Sequence, residues 1–181
     1  AYVSLKQGKP EALNILHPSD QTVISGAIRH LLQKSIDRKS FMLVAQPIVS
    51  TKNSSQYYEI LIRMKTVNDK IFFPDTFLPV AEEAGLLAQV DLTVIEQTFQ
   101  FMQSLDQSKS DTRFSINLTP QSLSRKDFLD RLNVLLKNYL IRPERIIFEI
   151  IESDIIDNIN ASSVLQELRK LGCQIAIDDF G

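Results

Sequence analysis

Asn117, Glu149 and the adjacent pair Asp178 and Asp179 recur about 30 residues apart, the length of one strand–helix unit. Each closes a run of strand-forming residues, in RFSIN, RIIFE and QIAIDD. In a parallel sheet or barrel all strands end on one face, so side chains distant in sequence converge there. Glu59 adds another carboxylate from within an otherwise apolar run, YYEILIRM. The set contains carboxylates and one carboxamide but neither His nor Cys, and all-oxygen donors suit hard cations such as Mg2+ or Mn2+. Taken singly, each residue reads as a solvated polar group at a strand end. Their matched positions point instead to a shared site, in which a metal offsets the cost of ending apolar strands with charge.

The elements that position these residues show in the hydrophobic periodicity. Residues 1–20, broken by Pro10 and Pro18, read as a tail or linker. Val23, Ile24, Ala27, Ile28, Leu31 and Leu32 recur at helical spacing after Asp20, which predicts an amphipathic helix over about 21–37 with Asp20 as its cap. FMLVAQPIV (41–49) and QYYEILIRM (56–64) read as a hairpin around TKNSS. Helices come next near 75–85, capped by Asp75, and near 90–105, striped by Val90, Val94, Ile95, Phe99 and Met102. Strand 113–118 leads to a helix over 124–140 with Ser124 as cap and Phe128, Leu132, Leu135, Leu136 and Tyr139 on one face. Strand 145–151, a helix over 160–171 stopped by Gly172, and strand 174–178 complete a βαβαβ run, which predicts an α/β fold with parallel strands. The near-continuous apolar runs around Phe148 and Ile175 predict strands buried on both faces.

Composition narrows the function. The chain has 181 residues, 44% hydrophobic and 23% charged, enough apolar matter for one sizeable core. A formal net charge of -2 supplies no broad footprint for duplex nucleic acid or an anionic membrane. The single cysteine, Cys173, allows neither an internal disulfide nor a zinc cluster and fits a cytoplasmic setting as a buried small hydrophobe. His17 and His30 are too isolated for a catalytic dyad. No apolar run approaches the ~18 residues of a bilayer span, although a longer parent chain can carry an anchor. GxxxxGK[ST] and GxGxxG are both missing, so P-loop and dinucleotide-cofactor folds have no support.

Six segments together resemble the EAL-domain family of bacterial cyclic-di-GMP phosphodiesterases: QPIV (46–49), EILIR (59–63), FLPVAEEAGL (77–86), SINLTPQSL (115–123), FEIIESD (148–154) and IAIDDFG (175–181). The resemblance runs from about residue 21 to the last residue and keeps the family's order. It implies a TIM-like (β/α)8 barrel that linearises cyclic di-GMP to pGpG with two Mg2+ or Mn2+ ions. Glu59, Asn117, Glu149 and Asp178 are then metal ligands, Asp179 serves the second metal and the attacking water, and Glu152 braces the loop after the last strand. Gln46, Leu61 and Arg63 contact the dinucleotide. A homodimer through these domains is the expected assembly.

The chain departs from the family pattern at Ile60, where the signature has Ala, at Ile151, where it has a hydroxyl residue, and at Ala45, where an aromatic is usual. Loss of the hydroxyl at Ile151 removes a donor beside Glu149, and Ala45 loosens packing against a base. Family members without the strict signature include both enzymes and receptors, so an inactive cyclic-di-GMP receptor is the alternative reading. Strand count falls short of a closed barrel of ~250 residues. The expectation is therefore a longer protein, with 1–20 as a tail from a preceding domain, for which the GGDEF type is the candidate, and 21–181 as the N-terminal two-thirds of an EAL domain.

Overall fold

The computed structural model describes residues 18–49, 57–66, 68–105, 111–152 and 161–178. The expected tail over 1–20 falls outside this range up to residue 17, as does the expected turn at 51–55. Helix α1 (Pro18–Asp37) leads into strands β1 (Met42–Ile48) and β2 (Tyr57–Lys65). The two-residue strand β3 (Ile71–Phe72), helices α2 (Pro74–Glu83) and α3 (Leu87–Ser104), and strand β4 (Arg113–Asn117) come next. The short helix α4 (Pro120–Ser124), α5 (Phe128–Asn138), β5 (Ile146–Ile151), α6 (Ala161–Lys170) and β6 (Gln174–Asp178) complete the described chain. One sheet runs β1-β2-β4-β5-β6, with β3 attached to β2. β1 and β2 pair antiparallel as the expected hairpin, and β2, β4, β5 and β6 run parallel. The arrangement is the mixed α/β plan of a TIM-like barrel.

Alternation along the strands decides what is buried. Ile60, Met64, Phe114, Ile116, Ile146, Phe148 and Ile150 face the helices, none more than 4% exposed. They meet the α3 stripe Val90, Val94, Ile95, Phe99 and Met102, Phe128 and Leu132 of α5, and Leu165 and Leu168 of α6. The expected burial on both faces holds on this helix side only. Leu61, Ile147 and Ala176 on the second face are half-buried, and Ile151 is 43% exposed. In a closed barrel that face is covered by strands across the interior, whereas the described strands form a sheet.

Several helix ends differ from expectation. α1 starts at Pro18, so Asp20 lies in its first turn, and Val23 is 72% exposed while Ile28 and Leu32 carry the contact with the core. Phe73 holds the cap position of α2 with Pro74 behind it, whose fixed φ suits a first turn. Asp75 sits one residue further in, where its charge favours the helix dipole. The single helix expected over 124–140 is two. Ser124 Oγ donates to the Pro120 carbonyl at 3.0 Å instead of capping α5, and Arg125 is extended. Arg125 and Arg131 both pair with Asp127, and the helix restarts at Phe128.

Gly172 ends α6 as expected. It adopts φ +101°, and a Cβ there would stand 3.2 Å from Glu144 Oε1. Cys173, only 4% exposed, packs as a small hydrophobe, and burial pushes its thiol up to about 12.

Candidate functional site

Strand register brings the expected residues to one face. Cross-strand partners share a face, and every second residue along a strand returns to it. Gln46 lies opposite Glu59 on the β1–β2 pair, Glu59 opposite Ser115, and Asn117 opposite Glu149. Asn117 lies two positions beyond Ser115, so Gln46, Glu59, Asn117 and Glu149 all occupy the face turned away from the helices. Asn117 Nδ2 donates to Glu59 Oε1 at 3.3 Å. Asn117 is the last residue of β4, whereas β5 continues two residues beyond Glu149 to Ile151, which lies opposite Asp178 at the end of β6. Asp179 lies outside the described residues, and Glu152, the residue after β5, is half-buried.

Leu61 lines a cavity of about 270 Å3 at this end of the sheet, together with Pro74, Asp91, Asn117, Thr119 and Glu149. Arg63 shares the face of Glu59 and Leu61 but turns to the rim, where its guanidinium stands 4.7 Å from the Phe73 ring centroid and donates to the Ile62 carbonyl at 2.7 Å. A larger cavity of about 440 Å3 lies in the helix layer between α1, α3 and α5, lined by Ile36, Leu92, Glu96 and Arg131, away from the strand ends. Of the expected site residues, Leu61, Asn117 and Glu149 line the smaller cavity and none lines the larger.

The donor set at this face fits a divalent cation. Among the described residues no three of His, Cys, Asp and Glu cluster. Glu59, Asn117 and Glu149 nevertheless present carboxylate and carboxamide oxygens from neighbouring strands, and the Asn117 amide can turn its oxygen toward a cation shared with Glu59. Ser115, 1% exposed on the same face, has a hydroxyl oxygen with no hydrogen-bond partner in the structure.

Two of the three departures from the family pattern fall on strand positions of the opposite face, although Ile60 also borders the 270 Å3 cavity. Ala45 pairs in register with Ile60, so both point to the helix side, opposite Gln46 and Glu59. They line a cavity of about 410 Å3 with Phe41, Leu43, Gln97 and Phe101. The expectation that Ala45 loosens packing against a base is therefore corrected: register puts Ala45 on the face away from Gln46 and Glu59. Ile151, in contrast, shares the face of Glu149 and lines the 270 Å3 cavity, with no hydroxyl to offer it.

Asp91 is the residue that sequence reasoning missed. Its Oδ2 accepts hydrogen bonds from Thr119 N at 2.8 Å, Thr119 Oγ1 at 2.7 Å and Ser122 Oγ at 2.7 Å. Burial pushes its carboxyl up to about 6, against the pull of these donors. The one sequence signal was a lone acid among the apolar residues of AQVDLTVI.

A sequence profile described as the EAL domain matches residues 29–181. Cyclic di-GMP phosphodiesterase PdeF of Escherichia coli (strain K12) is 44% identical over 156 residues, which cover 86% of this chain and 21% of that protein. Probable cyclic di-GMP phosphodiesterase PdeA of the same bacterium is 36% identical over 164 residues, covering 90% of this chain and 22% of that protein. The chain thus spans about a fifth of the length of these curated relatives. The crystal structure of the FimX EAL domain from Pseudomonas aeruginosa bound to c-di-GMP matches with a TM-score of 0.78 at 31% identity, covering 85% of this chain and 62% of that one. The PaMucR phosphodiesterase in its c-di-GMP complex matches with a TM-score of 0.77 at 28% identity, covering 86% and 64%.

Proposed function

The chain belongs to the EAL-domain family, and on that premise we propose that it forms part of a metal-dependent phosphodiesterase that hydrolyses cyclic di-GMP to linear pGpG. The observation that carries the reading is the placement of Glu59, Asn117 and Glu149 on one face of neighbouring strands, with Asn117 bonded to Glu59. In this reading those residues, with Asp178 and Asp179, hold two Mg2+ or Mn2+ ions. When bound, such ions polarise the scissile phosphodiester and make water a better nucleophile at neutral pH. Water adds to phosphorus, the bond to one ribose 3′ oxygen breaks, that oxygen takes a proton from solvent to become the 3′ hydroxyl, and the phosphate stays on the 5′ side of pGpG. Asp179 accepts the proton of the attacking water, and Glu152 braces the loop that presents it.

Gln46, beside Glu59 on β1, and Leu61, in the cavity, contact the dinucleotide. Arg63 supplies a guanidinium for a phosphate oxygen, and its stacking on Phe73 limits the rotamers it must give up on binding. In this reading residues 21–181 form the N-terminal two-thirds of the domain, which works in the cytoplasm as a homodimer. No helix among the described residues is long and apolar enough to cross a membrane.

Ile60 does not argue against catalysis, because its side chain is buried on the helix side while Glu59 keeps the site face. The test is incubation of the full-length protein with cyclic di-GMP and Mg2+ or Mn2+, with products read by mass. pGpG that disappears in Glu59→Ala supports the reading. Nucleotide binding without product refutes it and leaves the receptor.

A further inference from the structure

Asp91 is a buried ionisable group that the proposed chemistry does not use. It lies in α3 between Val90 and Leu92 and is 6% exposed. A carboxylate in such a place is costly unless it is hydrogen-bonded, and the donors that offset the cost all come from one short stretch of chain: the Thr119 N–H, the Thr119 hydroxyl and the Ser122 hydroxyl. Charge-assisted bonds of this kind are short and orienting. They fix the turn as firmly as they fix the carboxylate.

That turn is the one that leaves Asn117. Leu118 N–H donates to the Glu149 carbonyl at 2.9 Å, extending the β4–β5 ladder one residue past the end of β4. The next N–H, that of Thr119, goes to Asp91. Backbone beyond Asn117 is thus held by β5 on one side and by α3 on the other. Thr119 also stands at the cap position of α4 without making a side-chain cap bond to that helix, because its hydroxyl serves Asp91. Asp91, Asn117, Thr119 and Glu149 line the same cavity.

Resting on the phosphodiesterase reading above, we propose that Asp91 is a positioning residue for Asn117: by clamping Thr119 and Ser122 it holds the end of β4 so that the Asn117 carboxamide stays beside Glu59, where a divalent cation takes its oxygen. Asp91 itself touches neither cation nor nucleotide. It acts on metal affinity as an outer partner does, and loss of such partners weakens binding about 10–100-fold.

The experiment measures Mn2+ binding to the full-length protein by titration calorimetry, with far-UV circular dichroism as a check on folding. Asp91→Asn keeps the shape and removes the charge, and is expected to weaken Mn2+ binding about 10–100-fold. Thr119→Val removes one donor, leaves the backbone N–H, and produces a smaller loss in the same direction. In an Asn117→Ala background the Asp91→Asn loss disappears, which a general structural role does not predict. Unchanged Mn2+ affinity in folded Asp91→Asn, or an equal loss with and without the Asn117 side chain, overturns the proposal. Should Asp91→Asn fail to fold, unchanged affinity in Thr119→Val overturns it. An unsubstituted protein that binds no Mn2+ refutes the phosphodiesterase reading as well, whereas normal binding with an indifferent Asp91→Asn refutes the positioning role alone.

Discussion

Replacing Asp91 by Asn converts a buried carboxyl into a group of the same shape that does not titrate, so the difference in stability between the two proteins isolates its ionisation. Burial raises the folded carboxyl from 3.8 to about 6, the hydrogen bonds from Thr119 and Ser122 opposing the shift. In the unfolded chain the same group titrates near pH ~4. The folded protein therefore binds this proton more tightly, and the stabilisation is complete below pH ~4 and is lost as pH rises to about 6. At about 1.4 kcal/mol for each pH unit of difference, the loss relative to Asp91→Asn is roughly 3 kcal/mol. Asp127 and Asp69 act in the opposite sense, because hydrogen bonds from Arg125 and Arg131, and from Lys65, hold their carboxyls below the usual range. Both are common to the two proteins and cancel. Urea unfolding monitored by circular dichroism from pH 4 to 7.5 supplies the curves. The wild-type free energy minus that of Asp91→Asn should fall by roughly 3 kcal/mol and level off above pH ~6.5. A flat difference, or one that rises with pH, refutes burial as the dominant influence on this carboxyl.

Ile60→Ala restores the family signature but empties a site that is 4% exposed. It should cost about 2–5 kcal/mol in urea unfolding while leaving pGpG formation by the folded protein unchanged; a change in turnover would place Ile60 in the chemistry. Gly172→Ala forces a side chain into φ +101° against Glu144, and thermal unfolding should show a loss of roughly 1–2 kcal/mol, with no loss counting against the strained geometry. Leu140 adopts φ +52° just beyond α5 and is 84% exposed. Leu140→Gly should therefore stabilise by roughly 1 kcal/mol, and destabilisation would show that its side chain packs after all.

The strands and their polar ends were legible because both rest on local pattern. RFSIN, RIIFE and QIAID are short apolar runs that end in a polar residue, and their spacing predicted that Asn117 and Glu149 would meet. What escaped the sequence depends on partners far along the chain. Asp91 meets residues 28 and 31 positions away, so nothing in its own segment reveals the bond. Ser124 looked like a cap because a polar residue before an apolar stripe usually is one, yet its hydroxyl turns back to Pro120 and the Asp127 ion pairs set the new helix start. Ala45 and Ile60 read as two separate departures until the β1–β2 register paired them. Assigning either to the site required knowing which face it occupied, and a one-residue slip reverses every face.

Hydrolysis of cyclic di-GMP by this protein depends, in the proposed mechanism, on oxygen ligands converging at the strand ends. Single-turnover cleavage by the full-length protein with Mn2+, compared with Glu59→Gln and Asn117→Ala at saturating nucleotide, tests that dependence without interference from product release. The unsubstituted protein should form pGpG, and both variants should fall by at least about 100-fold with cyclic di-GMP still bound. Cleavage that proceeds undiminished in Glu59→Gln and Asn117→Ala would place the chemistry somewhere other than these ligands.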